Sequence, residues 1–356
     1  MTDDNLAPER IVRIEDPASG LEGVIVIHSS RIGPAAGGCR LWHYPDAAAL
    51  ERDALRLAAG MSCKNALAGL PFGGGKAVLR RPHEPFDRER LFEAFGRAVS
   101  ALEGHYVTAE DVGTSIADMT AAARFTTHVA GLPRDGDRPG GDPSPWTARG
   151  VSIAMEAAAQ RRFGCGIAGL RVAIQGLGNV GAHLAHLLHA AGARLIIAET
   201  RPGVADRMAR ELDAVAMPPE AILDARADIF APCALGSVLD ADAVMRLKVG
   251  LVCGGANNVL AYAEVGDRLA ARDILYAPDY VVNAGGIINV AAEYLGWDSA
   301  EVERRVASTG VRLGQVFAFA DAEGLPPNLA ADRLARRIIA GEAANIAMAG
   351  PATACR

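Results

Sequence analysis

RVAIQGLGNVG at Arg171–Gly181, followed by RLIIAE at Arg194–Glu199, is the stretch whose reading decides the fold. A short apolar strand runs into Gly176, Gly178 and Gly181 in the order G-x-G-x-x-G, and a helix-compatible run, Asn179–Ala191, follows. The acidic Glu199 then closes the next strand, 18 residues after Gly181. In a chain with 39 glycines such a six-residue pattern arises by chance, so the order strand, glycines, helix, strand, acid carries the reading. That order is the dinucleotide-binding fingerprint. The first glycine permits a tight turn, the second lets backbone approach a pyrophosphate, and the third lets helix and strand pack closely. The helix N-terminus, at Asn179 and Val180, offers unpaired N–H groups and the positive end of the dipole. Glu199 is expected to accept hydrogen bonds from ribose hydroxyls and to repel a 2′-phosphate, which favours NAD over NADP. Arg201 is the residue that could pair with such a phosphate instead.

Around this stretch, Ala227–Ala231, Leu251–Cys253 and Ile274–Tyr276 are further short apolar runs separated by helix-compatible segments. Short buried strands alternating with helices predict a parallel, doubly wound sheet. Upstream, PRDGDRPGGDPSP at 133–145 holds four prolines, three glycines and three aspartates, which can sustain neither a helix nor a central strand. It reads as a connection between domains, an ordinary long loop being the plainer alternative. Before it, Val24–His28 reads as a strand and Gly33–Gly38 as a glycine-rich turn. A long helix from Asp46 carries the stripe Leu50, Ala54, Leu57, Met61. Asp87 caps a segment with the stripe Leu91, Phe95, Ala98, Leu102, and Ser115 with Asp118 has capping-box form. The expectation is an α/β chain of two domains with a cleft between them. Residues 1–134 form a substrate-binding and catalytic α/β domain, 135–145 a hinge connection, and 146–330 a Rossmann dinucleotide-binding domain. Residues 331–356 carry a basic helix (331–344) that packs back on the body.

The helix from Asp46 holds an anomaly. Three residues beyond Met61 its stripe asks for an apolar group and meets Lys64. A lone lysine there usually snorkels to water. Here a second lysine, Lys76, follows Gly73–Gly75, glycines that read as allowing close backbone approach to a ligand. The run lacks the G-x-x-x-x-G-K-[ST] spacing of a phosphate loop. Two ammonium groups sharing a partly buried pocket destabilise each other's charge, so one can act as a general base while the other binds a substrate carboxylate. Asp111 would offset this positive charge and could relay a proton, although a turn or cap aspartate is an equal reading of it alone.

Taken together, GPAAGGCR (33–40), KNALAGLPFGGGK (64–76), TAEDVGTS (108–115), SPWTARG (144–150), QGLGNVG (175–181), APCALG (231–236), GANNV (255–259) and APDYVVNAGGIIN (277–289) occur in the order of the glutamate/leucine/phenylalanine/valine dehydrogenase family. The chain resembles that family over essentially its whole length, most closely the leucine and phenylalanine dehydrogenases. The resemblance implies reversible NAD-dependent oxidative deamination of an L-amino acid to a 2-oxo acid and ammonia. It implies that Lys64, helped by the Gly37–Gly38 backbone, binds the substrate α-carboxylate. It further implies that Lys76 activates the attacking water, and that Asp111 exchanges protons with the substrate nitrogen. Thr147 and Asn258 are expected near the nicotinamide end of the cofactor, and Asn283 near its carboxamide or the substrate. Where the glutamate branch carries a lysine for the distal carboxylate, this chain has Ala36. The expected side-chain pocket of Ala36, Ala109, Ile287 and Val290 is wholly apolar, which excludes glutamate more firmly than it selects one apolar amino acid. One methylene is worth only about 1–3 kcal/mol, so overlapping specificities are expected.

An alternative is an NAD-binding sensor or structural protein of the same fold without turnover, against which the joint presence of Lys64, Lys76 and Asp111 argues. A 2-hydroxy acid dehydrogenase would need a histidine acid/base and an arginine where the lysines stand. Over 356 residues, 50% hydrophobic and 22% charged, wholesale disorder is excluded. The net charge of −6 disfavours nucleic acid and anionic membrane as partners. The N-terminus lacks the apolar stretch of a secretory signal, and the six cysteines show no paired spacing. A cytoplasmic protein with reduced thiols and no bound metal is expected, and the family resemblance implies a homo-oligomer.

Overall fold

The computed structural model describes residues 7–132, 139–234 and 236–342. These fall into two compact units. One comprises 7–132, 139–142, 289–302 and 335–342, and the other 143–234, 236–288 and 303–334.

In the first unit β1 (Arg10–Asp16) and β2 (Leu21–Ser29) form an antiparallel pair, and β2 runs antiparallel to β5 (Gly73–Arg80). Two short strands, β3 (Ala35–Ala36) and β4 (Cys39–Trp42), run parallel to successive halves of β5. β6 (Tyr106–Val107) pairs with β3. Alternation along β2 and β5 separates two cores. Val24, Val26 and Val78 meet Leu50, Ala54 and Ala58 of α1 (Ala47–Leu67). On the opposite face Ile25, Ile27, Ala77 and Leu79 meet α2 (Arg88–Ser100) and α3 (Ile116–Ala123) through Leu91, Phe92, Phe95, Val99 and Met119. The caps read at Asp87 and Ser115 are in place, and the helix expected from near Asp46 is capped by that residue. Asp46 accepts from Ala49 N–H at 2.7 Å, Asp87 from Arg90 N–H at 3.0 Å, and Ser115 with Asp118 closes a reciprocal capping box.

Two local expectations need correction. Gly73–Gly75, expected to admit a ligand close to the backbone, is the first part of the central strand β5 and is approached by protein instead. A Cβ at Gly73 would stand 1.8 Å from Ser29 O, and one at Gly74 2.1 Å from Ser62 N. Glycine is disfavoured inside strands, but here it is what lets β2 and α1 lie so close. Likewise the turn expected at Gly33–Gly38 contains β3. On α1 the buried face runs Leu50, Ala54, Ala58, Ser62, Asn65, so Leu57 and Met61 of the expected stripe sit at its half-buried margin.

The second unit is a parallel six-stranded sheet. Its strands are β7 (Arg171–Gln175), β8 (Arg194–Ala198), β9 (Val215–Ala216), β10 (Ile229–Pro232), β11 (Leu251–Val252) and β12 (Leu275–Tyr276). Their order, β12-β11-β10-β7-β8-β9, is that of the Rossmann sheet, reversing direction between β7 and β10. β9 had no sequence signal, being two exposed residues. The helices from here along the chain, of which α10, α11 and α13 fall partly in the first unit, are α4 (Ser144–Phe163), α5 (Asn179–Ala190), α6 (Val204–Leu212), α7 (Ala241–Arg246), α8 (Val265–Ala271), α9 (Asp279–Val282), α10 (Gly285–Leu295), α11 (Ser299–Ala307), α12 (Thr309–Glu323) and α13 (Pro327–Ala340).

The division of the chain is less sequential than expected. Residues 133–138 of the expected connection lie outside the described residues, and α4 already begins at Ser144. Residues 289–302 and 335–342, expected in or after the Rossmann domain, cluster with the first unit. There the buried Glu293 accepts from Gly131 N–H at 2.8 Å and Leu132 N–H at 2.9 Å, and the Tyr294 hydroxyl lies 2.9 Å from His128 Nδ1. Residues 343–356 are likewise outside the described residues, so the expected basic helix is seen as α13 up to Ala340. Among the described residues no helix is long and apolar enough to cross a membrane.

Candidate active site and dinucleotide site

Strand parity places Gly74, Lys76 and Val78 on the α1 face of β5. With no Cβ at Gly74, Ser62 of α1 comes down onto β5, and Lys64 stands half-buried two residues later in the last turn. Lys76 is almost wholly buried, its side chain 6% exposed, and its Nζ lies 2.9 Å from Asp111 Oδ2. Arg40 on β4 is in register with Val78 and so shares this face; its Nε meets the same Oδ2 at 3.1 Å. Burial by itself would raise the Asp111 carboxyl, but Lys76 and Arg40 outweigh it and hold the group below its ordinary value. The loop carrying Asp111 is clasped locally. Asp111 N–H donates to Thr114 Oγ1 at 2.8 Å, and the Thr114 hydroxyl reaches Cys39 O at 2.9 Å. Gly113, at φ +83°, lies where a Cβ would stand 1.9 Å from Leu41 O.

The Gly37–Gly38 backbone is unequally available. Gly37 N–H donates to Val107 O at 3.1 Å and its carbonyl accepts from the Tyr106 hydroxyl at 2.6 Å. Gly38 is half-buried, and a Cβ there would stand 2.9 Å from the Asp111 Cβ. Ala36 is buried on β3 and Ala109 half-buried. Ile287 and Val290, three residues apart on α10, are both half-buried.

In the second unit the ends of β7, β8 and β10 enclose a cavity of about 290 Å³ lined by Gln175, Gly176, Gly178, Glu199, Arg201 and Cys233, among others. It opens at the strands' carboxyl ends, at the point where the order reverses, the usual ligand position in such sheets. The three glycines differ as their roles demand. Gly176 has φ +91°, a Cβ at Gly181 would stand 2.0 Å from Gly176 O, and a Cβ at Gly178 would meet nothing within 4 Å. No side chain caps α5 at Gly178, and Asn179 is exposed, which suits a bound phosphate. Val180 packs on Gly255, where an added Cβ would stand 2.6 Å from its Cγ1. Glu199 Oε2 accepts from Leu177 N–H at 2.9 Å and Oε1 from Arg201 N–H at 3.0 Å. Burial would raise its carboxyl, yet the Arg201 guanidinium and these N–H donors bring it down to about 2. Arg201, 3.1 Å from Glu199 Oε2, also donates to Leu177 O at 2.8 Å.

Asn283 donates to Asn257 Oδ1 at 2.8 Å and to the Ala256 carbonyl at 3.3 Å, while its buried Oδ1 has no hydrogen-bond partner. An orphaned buried acceptor beside this cavity-forming sheet end fits the amide donor of a nicotinamide. The Thr147 hydroxyl donates to Pro143 O at 3.1 Å, and a Cβ at Gly286 would stand 2.6 Å from it. Asn258, exposed at φ +51°, presents its carbonyl to Ser237 N–H at 2.6 Å. Among the described residues no cluster of His, Cys, Asp or Glu could hold a metal. Sequence reasoning quoted Arg40, Gln175 and Cys233 within GPAAGGCR, QGLGNVG and APCALG without giving them a role, and passed over Asp53. The available signal for Arg40 was a guanidinium inside an otherwise apolar strand, CRLW.

Comparison with known proteins finds relatives that cover both units. The family described as Glu/Leu/Phe/Val dehydrogenase, dimerisation domain, matches residues 8–128. The family described as Glutamate/Leucine/Phenylalanine/Valine dehydrogenase matches 142–207 and 198–318. Leucine dehydrogenase of Geobacillus stearothermophilus is 42% identical over 333 residues, 93% of this chain and 90% of that one. Valine dehydrogenase of Streptomyces coelicolor is 45% identical over 338 residues, 93% and 92% of the two chains. The crystal structure of L-tryptophan dehydrogenase from Nostoc punctiforme superposes with a TM-score of 0.84 at 34% identity, covering 95% of this chain and 97% of that one.

Proposed function

The chain belongs to the glutamate/leucine/phenylalanine/valine dehydrogenase family, and from that premise we propose that it converts an apolar L-amino acid, water and NAD⁺ reversibly into the 2-oxo acid, ammonium, NADH and a proton. The observation that carries this reading is the buried Lys76–Asp111 pair, 2.9 Å apart on the face of β5 that α1 covers. Lys64 holds the substrate α-carboxylate, and the Gly37–Gly38 backbone assists through the N–H of the half-buried Gly38, whose carbonyl already accepts from Ala77 N–H. Lys76 takes the proton of the water that attacks the imino acid, and Asp111 moves the proton of the substrate nitrogen. NAD, when bound, accepts the hydride from the substrate α-carbon.

Gly176, Gly178, Asn179, Val180 and Gly181 receive the pyrophosphate. Glu199 receives the adenosine ribose, and Thr147, Asn258 and Asn283 serve the nicotinamide end. With Arg201 drawn onto Glu199, the anionic carboxylate faces a 2′-phosphate, which supports NAD over NADP. Side-chain selection falls to Ala36, Ala109, Ile287 and Val290. With no cation among them, a distal carboxylate would go unpaired. The named relatives act on leucine, valine and tryptophan, which fits a substrate of this class without choosing one.

The match to a dimerisation domain supports a homo-oligomer. The free cysteines, Cys39, Cys63, Cys165, Cys233 and Cys253 among the described residues, suit the reducing cytoplasm. The direct test follows NADH absorbance with single L-amino acids at mildly alkaline pH. Turnover is expected with one or more of leucine, valine, isoleucine, phenylalanine, tyrosine and tryptophan, and none with glutamate. No turnover with any of the six would overturn the reading.

A further inference from the structure

Behind Asp111 lies a chain of charges that the chemistry above does not use. Arg40 reaches Asp111 Oδ2 with Nε at 3.1 Å and Asp53 Oδ2 with Nη1 at 3.1 Å. Asp53, on α1, is held in turn by the Tyr44 hydroxyl at 2.6 Å and by Arg56 at 2.9 Å. Arg40 and Asp53 are only 20% and 19% exposed, so this chain is a part of the interior. We infer that Arg40 is a positioning residue for the reaction, fixing the Asp111 carboxylate beside Lys76 while Asp53 and Tyr44 fix Arg40.

The inference rests on the roles proposed for Lys76 and Asp111. When Lys76 gives up its proton, its charge leaves Asp111; Arg40 stays cationic throughout and keeps that half-buried carboxylate ionised and in place. Its planar fork bonds two carboxylates from two nitrogens, tying the Asp111 loop to α1, the helix that carries Lys64. A lysine at this position supplies the charge but not the two-point geometry. The Asp111 carboxyl titrates in the field of Lys76, of Arg40 and the Cys39 thiol on β4, and of Tyr106 on β6, with Asp53 on α1 acting through Arg40.

Opposite charges removed from this chain must move that titration in opposite directions, which a merely structural contact does not do. The test measures kcat and KM against pH for Arg40→Met, Arg40→Lys and Asp53→Asn, with the Asp111 carboxyl followed by ¹³C NMR in the ligand-free protein. Arg40→Met is expected to lower kcat about 100-fold with little change in KM, as misplacement of a reacting group does. It should also move the rising limb of kcat/KM upward by about one pH unit. Asp53→Asn should move that limb downward. Arg40→Lys should restore the limb but not kcat. An unmoved limb and an unmoved Asp111 titration in both Arg40→Met and Asp53→Asn, with kcat tracking only the folded fraction, would overturn the inference. A wild type without turnover whose Asp111 carboxyl still titrates higher in Arg40→Met would sink the proposed reaction and leave Arg40's hold on Asp111 standing.

Discussion

Each unit of this chain contains a run of closely spaced glycines beside a held carboxylate, and the two runs do opposite things. At Gly73–Gly75 the missing side chains are filled by protein: Ser29, Ser62, Val26 and Tyr106 crowd the space a Cβ would take. At Gly176–Gly181 the outer glycines are crowded in the same way, but Gly178 faces open space. Only the second run has room for a ligand. The first brings a lysine-bearing helix down onto a lysine-bearing strand. The carboxylates contrast as well: Asp111 is held by two largely shielded cations, and Glu199 by backbone N–H groups and one exposed arginine at a cavity rim.

The sharpest way to break this comparison is at the lysines. Lys76→Ala should lose on the order of 10²–10⁴ in kcat, the range of a positioned acid–base group. Lys64→Ala should mainly raise KM for the amino acid; steady-state kinetics with the folded state checked by circular dichroism would expose a reversal of roles.

Next in size are the glycines themselves. Gly74→Ala, driving a methyl to 2.1 Å from Ser62 N, should cost about 3 kcal/mol in urea unfolding, the upper end for overpacking. Gly178→Ala, at φ −66° with nothing within 4 Å, should leave stability within about 0.5 kcal/mol and weaken NAD binding. Equal destabilisation by the two would erase the distinction drawn between them. A smaller effect is expected at the rim. Glu199→Ser frees Arg201 and removes the carboxylate, so the ratio of kcat/KM for NADP to that for NAD should rise about tenfold, equal to one charge-assisted contact. An unchanged ratio would refute a ribose-facing Glu199.

The smallest effect is in acid. Both carboxyls bind protons less readily in the folded chain than in the unfolded one, so their contribution is complete above the ordinary carboxylate range and fades as pH falls. For Glu199 the fading runs from 4.5 down to about 2, and for Asp111 it begins at 3.8. Urea midpoints of the wild type should therefore drop below pH 4.5, and Glu199→Gln and Asp111→Asn should each flatten that drop. A parallel fall in all three proteins would detach these groups from acid stability.

The Rossmann half was legible in the sequence because its signals are local. Strand, turn glycine, helix and acid follow one another within 29 residues, and each is dictated by backbone geometry at its own position. The caps at Asp87 and Ser115 and the helix start near Asp46 were legible for the same reason. The strand character of Gly73–Gly75 was not, because glycine carries no strand propensity and its reason for being there lies in α1 and β2. β9 was invisible, being too short and exposed to leave a pattern. The return of residues 289–302 to the first unit depends on Glu293 meeting backbone N–H groups about 160 residues away, which no periodicity encodes.

At the site itself, the sequence with its family resemblance singled out the candidates: two lysines, an aspartate, a glycine turn with its acid, and Ala36 where the glutamate branch carries a lysine. Residue type sets what each group can donate, accept or exclude, and the resemblance supplied the roles proposed for them. The tertiary structure alone decided which groups touch. It put Lys76 and Asp111 in one ion pair, gave that pair Arg40 as its second cation, engaged Gly37 in the sheet and drew Arg201 onto Glu199. Those pairings arise from strand register and from helix approach over glycine, distances fixed by packing across the chain rather than by neighbours along it.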